Sequence, residues 1–123
     1  GLNDRIELEL HGSAQRLSAL ITHGSTERLN LQLGAEVFAL IKASWVNLLP
    51  ADSTPLHAEP NHLTGNVHSL EPGELESELH LQLPGGAHLT AMLSNSQLSS
   101  RQLVSGEQVR VQINPEQIIL CSV

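Results

Sequence analysis

The chain has 123 residues, 40% of them hydrophobic and 15% charged, a balance that belongs to a folded globular protein rather than a disordered one. Its formal net charge of −7, with six scattered positive residues and no basic run, argues against a surface that grips nucleic acid. One cysteine, Cys121, excludes an intrachain disulfide, and no apolar run approaches the roughly 18–20 residues of a membrane span, so the expected setting is cytoplasmic.

In chain order, Gly1–Leu10 is too acidic for a signal peptide, and its Ile6, Leu8 and Leu10 alternate with Glu7 and Glu9. That period of two marks a half-buried strand. Gly12-Ser13 is expected to turn the chain into a second strand. Ser25–Leu33 is the candidate for a short helix, opened by a Ser/Thr cap and closed by Gly34. Strands follow at Glu36–Ile41 and Trp45–Leu49, and then Ala51–Pro60, with two prolines and a third just before it at Pro50, reads as a linker. Asn61–Gly73 reads as a strand and turn, and Leu79, Leu81 and Leu83 resume the alternation. Pro84-Gly85-Gly86 is a second hairpin turn, and Leu98–Val104 with Gly106 is a second helical turn.

These elements repeat. Leu17-Ser18-Ala19 matches Leu89-Thr90-Ala91, Gly34 matches Gly106, and Val37–Leu48 aligns without gaps to Val109–Leu120, a repeat of 72 residues. Such a period suits tandem small domains. The expected fold is all-β: two tandem OB-like five-stranded Greek-key barrels, each with a short helical turn. The division is 1–50 for the first barrel, 51–60 for the linker and 61–123 for the second. Asn61–Gly73 has no counterpart in the first copy, whose opening strand would fall upstream of Gly1.

The copies differ where one strand shows its outer face. Val37, Ala39 and Ile41 match Val109, Val111 and Ile113, but Phe38, Leu40 and Lys42 stand against Arg110, Gln112 and Asn114. An apolar outer face needs a cover, and the economical one is a second subunit of a homodimer. Lys42, the only lysine, would then end a buried face, where it either reaches water or a carboxylate or is neutralised by a captured anion. Ala43 and Ser44 follow, small residues that leave backbone N–H groups accessible, and a cation with open amides and hydroxyls suits a compact oxyanion. Thr22 and Ser25 in "ITHGS" add hydroxyls, with helix capping by Ser25 and turn chemistry by Thr22 as their ordinary alternatives. The seven histidines form no metal-ligand motif, the glutamates around Glu71–Glu78 read as a solvated face, and no nucleophile pattern suggests an enzyme.

At "LGAEVFALIKASWVNL", with "L-x-A-x-I-T-x-x-S" upstream and "N-x-L-x-G-x-V-x-x-L-x-x-G" opening the second copy, the sequence resembles the Mop (molbindin) family of molybdate-binding domains. The likeness covers essentially the whole chain and is nearest to the paired, di-Mop C-terminal domain of ModE-type molybdate-responsive transcriptional regulators. The resemblance implies two OB-like barrels per chain in a homodimer, with molybdate, or tungstate as its analogue, bound at subunit contacts. Lys42 would pair with the oxyanion, Ala43 would offer its N–H, and Thr22, Ser25 and Ser44 would add hydrogen bonds. The family's Ser-Ala-Arg-Asn element is matched in the second copy by Ala58–Asn61, which keeps the asparagine without the arginine. With Asn114 and Pro115 in place of Lys42 and Ala43, the second copy is expected to be structural. The family's winged helix-turn-helix is absent from these residues, so no direct nucleic-acid contact is expected. A free-standing molbindin for molybdate storage is the alternative, and an OB-type module for oligonucleotides or sugars is a third, poorly matched by 2% aromatic content.

Overall fold

The computed structural model describes residues 2–13, 15–51 and 61–123, so the expected linker lies outside the described residues apart from Ala51. The first copy supplies β1 (Asn3–Glu9), β2 (Arg16–Thr22), α1 (His23–Arg28), β3 (Val37–Leu40), a 3-10 turn (Ala43–Trp45) and β4 (Val46–Leu48). The second supplies β5 (His62–Glu71), β6 (Glu76–Gln82), β7 (His88–Ser94), α2 (Asn95–Leu98), β8 (Gln108–Ile113), a second 3-10 turn (Pro115–Gln117) and β9 (Ile119–Ser122). The alternating strands form barrel-like sheets, as their period of two implies. Among the described residues no helix is long and apolar enough to cross a membrane.

Five strands run in the order β4-β8-β5-β6-β7, and the edge strands β4 and β7 come back into contact to close a barrel. Two further antiparallel pairs are β1-β2 and β3-β9. The last strand of each copy therefore crosses to the other: β4 pairs with β8, and β9 pairs with β3. Leu48 faces Val111 in one sheet and Leu120 faces Ala39 in the other, the same two repeat positions with the copies exchanged. The exchange is a local two-fold, and it welds the copies into one unit.

Side-chain amides strengthen the weld. Asn61 accepts from the Ser18 N–H at 2.6 Å and donates to the Ser18 carbonyl at 2.8 Å. Gln15 does the same to Thr64, at 2.7 and 3.1 Å. Each amide imitates a strand partner, satisfying backbone groups of the opposite copy. At Gly12 and Gly85 the two hairpin turns meet, both at positive φ (+74° and +92°), and a side chain on Gly85 would press into the Gly12 carbonyl.

Burial separates the copies. Leu79, Leu81, Val111 and Ile113 are 0% exposed, and each contributes roughly 1.5–3 kcal/mol by leaving water. Their counterparts Ile6, Leu8, Ala39 and Ile41 are only half-buried. The cause is β5, which lies between β6 and β8 and pairs with both. No described strand lies between β1 and β3 in that way.

The helical turns begin earlier than the sequence pattern suggested. α1 opens at His23 because Thr22 is its cap, the Thr22 hydroxyl accepting from the Ser25 N–H at 3.2 Å. Ser25 lies inside the helix, which ends at Arg28, and Asn30 turns away at φ +51°. α2 likewise starts at Asn95 under Ser94, which forms a capping box with Gln97.

Candidate functional site

Thr22 closes β2 and caps α1, which places its hydroxyl 2.8 Å from the Ser25 hydroxyl one helical turn on. Arg28 folds back along the helix and donates from Nη2 to Ser25 Oγ at 2.9 Å. These three polar side chains line a cavity of about 450 Å³. Its apolar wall is Leu20, Ile21, Leu29 and residues 118–120, so the exchanged end of the second copy closes the first copy's pocket.

Lys42 stands on a different feature. It precedes the first 3-10 turn, which packs against β7, whereas the second 3-10 turn packs against β2. Lys42, Ala43 and Ser44 do not line the cavity of Thr22 and Ser25, so one chain does not bring all five expected residues to one pocket. Within one chain Lys42 is exposed, as are Phe38 at 58% and Leu40 at 52%. Its ammonium rests 4.9 Å from the centroid of the Trp45 ring, a cation–π contact.

Backbone geometry is the same at the two equivalent turns: Lys42 has φ −65° and ψ 137°, Asn114 φ −66° and ψ 128°. Their uses differ. Asn114 spends its Oδ1 accepting from the Glu116 N–H at 2.9 Å, whereas Lys42 makes no side-chain cap bond. Ala43 is the first residue of its turn, where a helical N–H has no partner inside the helix, and Pro115 at the equivalent position has no N–H at all.

His23 ties α1 to β1, its Nδ1 lying 2.8 Å from Asp4 Oδ2 and its Nε2 3.1 Å from Glu27 Oε1. The hydrogen bond to Asp4 raises the His23 pKa above its ordinary value, and the Asp4 and Glu27 charges add to the effect. Hydrogen bonds from Thr26 and then His23 lower the Asp4 pKa. A second cavity, of about 360 Å³, contains Arg101, which is committed to structure: it donates to the Leu49 carbonyl at 2.8 Å and lies 3.6 Å from Glu107. Among the described residues, Glu71, Glu78 and His80 place potential ligand atoms within 4.8 Å of one another on the β5-β6 face, with His80 and Glu71 3.8 Å apart.

Sequence reasoning missed Arg28 and the wall at 118–120. Arg28 stands three residues after Ser25, a helical spacing that could have revealed it. The wall depends on strand exchange, for which no local signal exists.

A model described as the TOBE domain matches residues 1–48 and 58–120. The transcriptional regulator ModE of Yersinia pestis is 39% identical over 121 residues, which are 98% of this chain and 46% of that protein. The molybdenum-pterin-binding protein MopA of Rhodobacter capsulatus is 31% identical over 119 residues, 97% of this chain and 44% of that protein. The chain thus spans about half the length of these relatives. A crystal structure of the cytoplasmic molybdate-binding protein ModG with molybdate bound matches 100% of this chain and 86% of that one, at a TM-score of 0.90 and 31% identity.

Proposed function

The chain belongs to the TOBE domain family, and on that premise we propose that it binds molybdate, with tungstate as an analogue, at contacts between two copies of itself. It does so as the paired ligand-sensing domain of a cytoplasmic, molybdate-responsive transcriptional regulator, with DNA contacted by another part of that protein. The observation that carries the reading is the contrast between equivalent turns. One holds an exposed lysine that makes no side-chain cap bond and an amide at the turn's start, and the other holds neither.

The site is shared. Thr22 and Ser25 of one protomer face Lys42, Ala43 and Ser44 of its partner, which explains why one chain keeps the two groups on separate features. A tetrahedral dianion supplies the countercharge for Lys42 and accepts several hydrogen bonds at once. Each charge-assisted bond contributes about 1.5–3 kcal/mol, so five or six can exceed the cost of dehydrating the ion and reach about micromolar affinity. The site binds its ligand and catalyses nothing.

The test is titration with molybdate while following Trp45 emission, in the wild type and in Lys42→Asn. Saturable quenching in the wild type that is lost in the variant supports the site; equal responses refute it. A storage role is the second reading, prompted by the TM-score of 0.90 to the molybdate-binding protein ModG. Ion stoichiometry separates the two: about two ions per dimer fit sensing at the assigned site, and further ions fit storage.

A further inference from the structure

We propose that Arg28 is the second cation of the oxyanion site, and that the site therefore prefers a tetrahedral dianion to a monoanion of the same size. This rests on the binding proposed above and adds to it the charge of the ligand it selects.

The hydrogen bonds around Ser25 leave the cluster poised to donate. Ser25 Oγ accepts from Arg28, and Thr22 Oγ1 accepts from the Ser25 N–H. One hydroxyl hydrogen bridges Thr22 and Ser25 at 2.8 Å, which leaves the other available to donate. A guanidinium carries five N–H donors, and the bonds to Ser25 Oγ and the Gly24 carbonyl occupy two. The rest can reach an anion seated beside the hydroxyls. Within one chain Thr22 and Arg28 are exposed, and the wall of Leu20, Leu29, Ile118 and Leu120 gives an anion seated there one apolar side.

Comparison of the copies is the independent support. Thr22, Ser25 and Arg28 correspond through the repeat to Ser94, Gln97 and Ser100. In α2 the cap is self-contained: Gln97 donates its N–H to Ser94 Oγ and accepts the Ser94 N–H on its side chain, each at 3.2 Å. No cation stands at Ser100, and its neighbour Arg101 is turned to the Leu49 carbonyl and Glu107. Lys42 has likewise become Asn114. Two cations on two different elements are thus present together in one copy and replaced together in the other. A single ligand that needs both positive charges leaves that pattern, whereas a cation serving only the helix end does not.

The experiment is calorimetric titration of the full chain with molybdate and with perrhenate, a tetrahedral monoanion. It compares wild type, Arg28→Gln, Arg28→Lys and Lys42→Asn, with a thermal melt of each. Arg28→Gln is expected to weaken molybdate by about 10- to 100-fold, the loss of one charge-assisted bond, and to change perrhenate much less. Arg28→Lys keeps the charge and should recover most of the molybdate affinity. If Arg28→Gln binds molybdate like the wild type while Lys42→Asn does not, Arg28 is only a helix-end cation and the proposal fails alone. Equal weakening of both anions overturns the dianion preference. Absence of molybdate binding by the wild type overturns this proposal together with the function beneath it.

Discussion

Asn61 shows what one residue can carry. It is 4% exposed, sits at φ +65°, and satisfies both backbone groups of Ser18 on the opposite copy. Asparagine is suited to all three demands, since it tolerates the left-handed region and offers a donor and an acceptor on one planar group. Asn61→Ala would leave the Ser18 N–H and carbonyl buried without partners and force alanine into a strained backbone. A loss of roughly 2–4 kcal/mol is expected by urea denaturation. A variant within about 0.5 kcal/mol of the wild type would mean that the clamp is not a structural one. The sequence marks Asn61 as the asparagine of two motif matches but not as a clamp on Ser18, because a contact 43 positions away leaves no local trace. Arg28 and Ser25 are different: their spacing was readable, but the cavity that gives it meaning was not.

At the scale of elements, α1 is six residues long, too short to hold itself together, and depends on its cap and on His23 bridging Asp4 of β1 and Glu27. His23 is raised above its ordinary 6.5, so its contribution is complete below about pH 6.5 and disappears as pH rises through the higher folded value. Asp4 is lowered below 3.8, so its contribution is present above that pH and disappears as pH falls through the lower folded value. α1 is therefore held most firmly between those limits. Asp4→Asn should bring the His23 pKa back towards 6.5 in an NMR titration of its ring protons; an unchanged value would show that Asp4 is not the cause. The elements themselves were largely legible. Alternation placed β3 and β4 within a residue or so of their bounds and assigned the outward Phe38 and Leu40 correctly. The helical turns were misplaced because Thr22 and Ser94, not Ser25 and the residues near Leu98, supply the caps. Strand exchange was illegible for a deeper reason: a period of two says which face is buried, but not which copy provides the neighbouring strand.

At the scale of the whole molecule, an apolar band lies uncovered on one sheet of the described residues. Leu40 and Ile119 lie opposite each other on the β3-β9 sheet, at 52% and 47% exposure, with Phe38 beside them at 58%. Its equivalent in the second copy is β8, whose outward Arg110 and Gln112 are flanked by β4 and β5 and are only half-exposed. A second copy seated on the apolar band would remove it from water and bring Lys42, at the end of β3, towards a partner's α1. Covering the band and completing the oxyanion site are then one event, so a single substitution pair should disturb both. Phe38→Glu with Leu40→Glu is expected to reduce the light-scattering mass from twice the chain to a single 13.3 kDa chain, and to weaken molybdate binding in step. A variant that keeps the doubled mass would place the subunit contact elsewhere. A monomer that still binds molybdate at full strength would show that one chain holds the whole site, and that Lys42 and Thr22 act apart.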